Sequence, residues 1–142
     1  MSASELFVAA SERETLALGA ALAERFAEGG IVTLSGDLGA GKTTLVRGIL
    51  RAMGHEGRVK SPSYGLIESY RIDGRDVHHL DLYRLGHGEE VEYLGLEDLL
   101  TPDSLLLIEW PERGAGWLPP VDWRVRIDDT PEGGRRITLE RV

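Results

Sequence analysis

The chain contains no cysteine, asparagine or glutamine in its 142 residues. Without cysteine it forms no disulfide, thiolate metal site or thiol nucleophile, and a reducing cytoplasm is its expected compartment. Without glutamine, a group that orients a water molecule for attack must be a carboxylate, a hydroxyl or the backbone. Carboxylates at the ends of strands are therefore the side chains to examine for catalysis.

Positive charge and long apolar runs are also scarce. The chain has 16 Lys and Arg against 24 Asp and Glu, a net charge of −8, whereas proteins that bind nucleic acid unaided normally present a basic face. No apolar run approaches the roughly 20 residues of a membrane-spanning helix, and the first residues lack the basic start of a signal peptide. We expect a cytosolic protein that contacts no membrane and folds as one domain, residues 1–142.

A glycine-rich segment is the strongest motif present. It follows the pattern of glycine, four residues, glycine, lysine and then serine or threonine, which is typical of a phosphate-binding loop. A β-branched run precedes it and a helical pattern follows, as the motif requires; the backbone amides would bind phosphates, Lys42 the outer phosphates, and the Thr43 hydroxyl a magnesium ion. The predicted ATP-binding residues are Gly36, Asp37, Leu38, Gly39, Ala40, Gly41, Lys42, Thr43 and Thr44.

The rest of the pattern predicts an α/β fold with a mixed sheet. A helix capped by Ser11 precedes the loop, and Thr44 to Met53 forms the helix after it. Hairpins are predicted around Asp73-Gly74 and residues 131–134. The apolar run 104–108 is typical of a central strand covered on both faces, and the acidic segment 89–100 is predicted to be helical.

Two acids are candidates for the metal and for catalysis. Glu109 follows the apolar run directly, so it lies at the carboxyl edge of the presumed central strand, where ligands collect in α/β sheets. Asp81 shares an alternating face with Val77 and His79. We expect Thr43 and one acid to contact magnesium while the other acts through water; the residues leave open which acid does which.

Other residues carry weaker signals. His78 and His79 are adjacent on a strand and point to opposite faces, so they are interpreted as structural. The tryptophans are interpreted as packing residues. The loop 60–64, with Ser61 and Ser63, occupies the usual place of a nucleotide-sensing switch. Because an Asn-Lys-x-Asp segment is absent, adenine is favoured over guanine, and residues 11–15 and the last hairpin are where its pocket is sought.

Five segments in order, GDLGAGKTT, KSPSYGLIESY, HHLDLYRL, LGLEDLL and LIEWPER, resemble the bacterial TsaE family, also called YjeE. The resemblance runs from about Ser11 to Arg113, and more loosely to the end. Ser63 departs from the family, which usually has threonine there.

The resemblance implies a P-loop three-layer α/β sandwich with a mixed parallel and antiparallel sheet. It also implies a weak magnesium-dependent ATPase that acts with TsaD and TsaB in forming threonylcarbamoyladenosine at position 37 of tRNA, and that meets tRNA only through this complex. By the resemblance, Lys42 holds phosphates, Thr43 and Glu109 ligate magnesium, and Asp81 supports the metal or the attacking water. Two alternatives remain: a small-metabolite or nucleotide kinase, and a non-catalytic ATP-dependent binding module.

Overall fold

The computed structural model describes residues 3–37, 39, 41–60, 62 and 66–142. Seven strands and two long helices form its framework, with shorter helical segments between the later strands. The strands are β1 Ala3–Ala9, β2 Gly30–Ser35, β3 Ile67–Ile72, β4 Arg75–Asp81, β5 Leu105–Glu109, β6 Trp123–Asp129 and β7 Arg135–Arg141. The helices are α1 Glu12–Arg25, α2 Lys42–Met53 and α3 Leu96–Leu99, with 3-10 segments at Gly88–Leu94 and Pro111–Gly114.

All seven strands belong to one mixed sheet in the order β1-β7-β6-β2-β5-β4-β3. The central strands β6, β2, β5 and β4 are parallel to one another. The two predicted hairpins, β3-β4 and β6-β7, supply antiparallel pairs, and β1 joins β7 as an antiparallel edge strand. The sequence-based expectation of an α/β fold with a mixed sheet is confirmed.

Alternation along β5 divides the core into two layers. Leu105 and Leu107 pack toward α1 and α2, whereas Leu106 and Ile108 pack toward the layer that holds the 3-10 segment Gly88–Leu94 and α3. Every residue of β5 is buried, as expected for a parallel strand covered on both faces. This alternation places Glu109, the last residue of β5, on the α2 side of the sheet.

Two predicted elements differ from the structure. The helix after the loop begins at Lys42, two residues before the predicted Thr44, because the left-handed Gly41 (φ 102°) is its N-cap. The predicted helix over residues 89–100 is wrong as a single element: Gly95, with φ 70°, separates the 3-10 segment Gly88–Leu94 from the one-turn α3. Glycine is the residue that adopts this backbone conformation without strain. No helix in the described part of the chain is long and apolar enough to cross a bilayer.

The two long helices approach each other through glycine. A Cβ built on Gly48 of α2 would lie 2.2 Å from the carbonyl oxygen of Leu16, and one built on Gly19 would lie 2.2 Å from the carbonyl carbon of Gly48. These neighbours are backbone atoms and cannot rotate away. The contact fixes α2 against α1, and so fixes the N-terminus of α2, where the glycine-rich loop ends.

We predict that Gly48→Ala destabilises the protein by about 1–3 kcal/mol, the usual cost of overpacking. Helix propensity alone would favour alanine by about 1 kcal/mol, but the backbone clash outweighs that gain. Urea unfolding followed by circular dichroism measures the change. Gly57→Ala is the control, because a Cβ at that exposed position meets only the His55 ring. Unchanged or increased stability of Gly48→Ala would show that the helices separate without cost.

Candidate functional site

The glycine-rich loop connects the carboxyl end of β2 to the first residue of α2. Gly39 and Gly41 have φ angles of 79° and 102°, which residues with a side chain rarely adopt. The N-cap Gly41 offers no side-chain hydrogen bond to the helix, so the first-turn amide groups of α2 have no side-chain cap. Such a terminus is suited to an anion. Leu38 and Ala40, both predicted to bind ATP, lie outside the described residues.

Lys42 is almost completely buried, with a relative exposure of 5%. Its ammonium group donates a hydrogen bond to the Gly36 carbonyl oxygen and lies 3.6 Å from the centre of the Trp110 ring. Burial lowers the pKa of Lys42, and nearby carboxylates, first Glu109, act in the opposite direction. A cation is thus held beside the glycine-rich loop by a carbonyl group and an aromatic face.

Three parallel strands bring the predicted acids together at one edge of the sheet. In the strand register Glu109 of β5 is opposite both Asp81 of β4 and Leu34 of β2. The Thr43 hydroxyl donates to Glu109 Oε2 across 3.4 Å. The sequence-predicted Thr43 and Glu109 are therefore in contact, and Asp81 lies on the neighbouring strand beside them.

Glu109 and Asp81 occupy different environments. Glu109 is 3% exposed, whereas Asp81 is partly exposed and its Oδ1 accepts a 3.0 Å hydrogen bond from the Tyr83 amide. Burial raises the pKa of Asp81; the Tyr83 amide acts in the opposite direction, while the charge of Glu109 raises it further. Glu109 is therefore the more deeply buried of the two acids.

Two clefts meet at the loop. One, of about 300 Å³, holds the hydroxyls, the lysine and the two acids, and is lined by Gly39, Gly41, Lys42, Thr43, Thr44, Asp81, Glu109 and Trp110. The other, of about 220 Å³, is lined by Ser11, Glu12, Thr15, Gly39, Gly41, Thr44, Gly133, Gly134 and Arg135. The clefts share Gly39, Gly41 and Thr44, so a polar groove passes over the loop from the acids to the last hairpin.

Hard oxygen donors dominate the first cleft. No group of three or more His, Cys, Asp or Glu side chains able to hold a metal occurs within the described ranges. A hydroxyl and a carboxylate in contact, Thr43 with Glu109, instead fit a magnesium ion that brings phosphate and water as its other ligands. The donor set thus fits a nucleotide-borne ion better than a site made entirely of protein ligands.

Sequence reasoning missed two members of this site. His79, interpreted as structural, has its Nε2 2.5 Å from Glu109 Oε2, while His78 points to the other face and contacts Ser69. Trp110, interpreted as packing, covers Lys42. The available signals were the position of His79 two residues before Asp81 on the same face, and that of Trp110 directly after Glu109.

Some predicted positions are not tested by the structure. Ser61 and Ser63, the hydroxyl residues of the predicted switch loop, lie outside the described residues. Lys60, which precedes them, is described, and its amide donates a 3.3 Å hydrogen bond to the Tyr70 hydroxyl. Arg135 belongs to the hairpin where an adenine pocket is sought; it lines the second cleft and donates to the Gly39 carbonyl oxygen.

Known proteins resemble this chain over most of its length. A family model described as "Threonylcarbamoyl adenosine biosynthesis protein TsaE" matches residues 9–137. Among relatives called "tRNA threonylcarbamoyladenosine biosynthesis protein TsaE", that of Haemophilus influenzae is 55% identical over 98 residues, covering 69% of this chain and 62% of the relative. That of Synechocystis is 43% identical, covering 67% and 62%, and that of Streptomyces coelicolor is 40% identical, covering 86% of each.

The chain spans less than two thirds of the length of the first two of these relatives. A solved structure titled "Crystal structure of Bacillus subtilus YdiB" superposes with a TM-score of 0.78 and 28% identity, over all of this chain and 88% of that one. Because the family model covers both the glycine-rich loop and the strand ends that carry the two acids, the chain belongs to the TsaE family.

Proposed function

We propose that the chain is an ATP-binding, weakly hydrolysing magnesium-dependent subunit that supports threonylcarbamoyl modification of adenosine 37 in tRNA. It acts in the cytoplasm as one domain, residues 1–142, together with TsaD and TsaB. The observation that carries the proposal is the contact between Thr43 and Glu109 at the start of the loop helix. Membership of a family whose relatives are named for this tRNA modification supplies the biological setting.

The loop and α2 bind the polyphosphate in this proposal. Amide groups of residues 36–44 donate to phosphate oxygens, and the positive end of the α2 dipole faces the same place. Lys42 leaves its contact with the Gly36 carbonyl to meet the outer phosphates, and Trp110 limits the access of water to its ammonium group. The amide groups, the helix dipole and Lys42 stabilise negative charge on the transferring phosphoryl group.

Glu109 and Asp81 have different tasks in this proposal. Thr43 and the buried Glu109 hold magnesium, which when bound neutralises phosphate charge and orients the outer phosphates. Asp81, nearer to solvent, supports the metal ion or accepts a hydrogen bond from the attacking water. Because the chain contains no glutamine, a carboxylate is the natural group for positioning that water.

The second cleft receives the adenosine portion. Its walls come from the start of α1 and from the turn between β6 and β7, two segments brought together by the pairing of β1 with β7. Arg135 offers a planar cation beside the cleft, and such a group stacks on a base or donates to its ring nitrogens. Thr15 adds an apolar methyl group and a hydroxyl on the opposite wall.

We predict that Lys42→Ala weakens ATP binding by about 10–100-fold, the loss of a charge-assisted contact. Glu109→Ala is expected to lower the ATP hydrolysis rate by about a hundredfold or more, while appreciable nucleotide affinity remains. Calorimetric titration measures binding, and phosphate release with ATP and magnesium measures turnover. Glu97→Ala, at an exposed acid of α3, is the control. Equal hydrolysis by the wild type and Glu109→Ala would remove Glu109 from the mechanism.

The same phosphate-release assay separates this function from the two alternatives. Release into water without an added acceptor supports an ATPase. Turnover only in the presence of a metabolite or nucleotide acceptor would identify a kinase, and binding without any turnover would identify a nucleotide-dependent binding module. The proposed ATPase is contradicted by either of the last two results.

We predict that Arg135→Ala weakens ADP binding by about 2–30-fold, corresponding to the ~0.5–2 kcal/mol of a cation–aromatic contact. Arg136→Ala is the matched control, because the adjacent residue of β7 points to the opposite face of the sheet. Inorganic triphosphate binding should be changed less than ADP binding. Equal effects of the two arginine variants on ADP would place the base elsewhere.

We predict that TsaD and TsaB copurify with this chain more strongly in ATP and magnesium than without nucleotide. The reason is that a ligand shifts a conformational equilibrium only when it binds one state better. Affinity purification with Lys42→Ala as the nucleotide-free control measures the effect. Capture that is indifferent to nucleotide would argue against a nucleotide-controlled association.

A further inference from the structure

His79 is a buried polar side chain that the proposed mechanism does not use. The residue has no exposed surface, and its Nε2 lies 2.5 Å from Oε2 of Glu109, whose side chain is 4% exposed. A carboxylate removed from water needs hydrogen-bond donors to offset its lost hydration. His79 and Thr43 are the donors that reach Oε2 in the described part of the chain.

The other ring nitrogen of His79 shows that packing does not explain the imidazole. Within the described residues, Nδ1 is buried and has no hydrogen-bond partner. An unsatisfied buried polar atom destabilises the folded state, whereas a leucine would fill a similar volume without that cost. The polar contact that accounts for a histidine at this position is therefore the one with Glu109.

The hydrogen-bond direction follows from the acceptor. In the proposed function Glu109 binds magnesium as a carboxylate, which only accepts hydrogen bonds, so Nε2 of His79 is the donor to Oε2. His79 and Glu109 sit on adjacent parallel strands, β4 and β5, each of which is paired with a strand on both sides. Holding one carboxylate oxygen from a strand paired in this way restricts rotation of the whole group, and so sets the direction of the other oxygen.

We propose that His79 is a positioning residue that orients Glu109 for the nucleotide-borne magnesium ion. The inference rests on the proposed function, in which Glu109 is a metal ligand. Residues that hydrogen-bond a metal ligand without touching the metal commonly affect metal affinity or activity by about 10–100-fold. His79 occupies that place relative to Glu109, and Thr43 approaches the same oxygen from α2.

Three variants test the role of the hydrogen bond. His79→Leu removes the donor and keeps an apolar side chain of similar size. His79→Gln offers an amide N–H group that reaches about as far as the imidazole Nε2. His78→Leu is the matched control, because His78 is the neighbouring buried histidine but points to Ser69 on the opposite face.

Metal-linked binding is the decisive readout. In His79→Leu we expect the magnesium concentration that gives half-maximal ATP hydrolysis to rise, and kcat to fall, by about 10–100-fold in all. ADP affinity measured by calorimetry in EDTA should stay at the wild-type value, whereas the gain in affinity on adding magnesium should shrink. His79→Gln should recover most of the loss, and His78→Leu should resemble the wild type. Thermal unfolding confirms that each variant is folded.

The outcomes separate this inference from the proposed function. If the wild type neither binds ATP nor hydrolyses it, the proposed function fails first. If the wild type is active and His79→Leu keeps the wild-type magnesium dependence, the positioning role alone is wrong. Equal losses in folded His79→Leu and His79→Gln would show that ring shape and not the donor matters, and a loss in His78→Leu equal to that in His79→Leu would indicate a general effect on β4. Either result overturns the inference.

Discussion

The parallel register of β2, β5 and β4 is the constraint on which the site depends. It aligns Leu34, Glu109 and Asp81 at one edge of the sheet, and the chain turns from β2 into the loop and α2 at that same edge. A shift of one residue in β5 would point Glu109 to the opposite face and bury Ile108 beside Thr43. The buried alternation of Leu105 to Ile108 between two apolar layers prevents that shift.

Charge balance follows from this alignment. Lys42 contributes one positive charge to a cleft that also contains the carboxylates of Glu109 and Asp81. A bare polyphosphate would add negative charge beside two acids, which is unfavourable where solvent screening is weak. A divalent cation reverses the sign of that interaction, so in the proposed function the acids select the magnesium complex of the nucleotide over the free nucleotide.

Sequence reasoning reached the parts of the fold that local rules determine. The Ser11 cap was predictable because its side chain accepts from the Glu14 amide within one helical turn. The hairpin at Asp73-Gly74 was predictable because the Asp-Gly pair favours the left-handed backbone of a tight hairpin turn. In the structure both residues have positive φ angles, 50° and 76°. The break at Gly95 was not predicted because the surrounding segment is acidic and periodic, and an isolated glycine is tolerated within a helical pattern.

The residues of the candidate site also divide into those that local patterns predict and those that only the strand order brings together. Lys42, Thr43 and Glu109 could be predicted as candidates because each lies at a fixed offset from a local pattern. The contacts of His79 with Glu109 and of Trp110 with Lys42 join residues 30 and 68 positions apart in the chain, and only the strand order brings them together. Alternation identified the face of His79, but nothing local indicated that Glu109 of β5 would be its neighbour.

The distribution of arginine bears on how an acidic chain would meet tRNA in the proposed function. Several arginines on the sheet and α1 form ion pairs with acids: Arg25 with Glu5, Arg124 with Glu140, Arg126 with Asp128, and Arg135 with Asp129. An arginine paired in this way contributes little to the positive potential that attracts a phosphate backbone. A net charge of −8 is therefore consistent with the proposed function, in which partner proteins hold the tRNA and this chain binds the nucleotide.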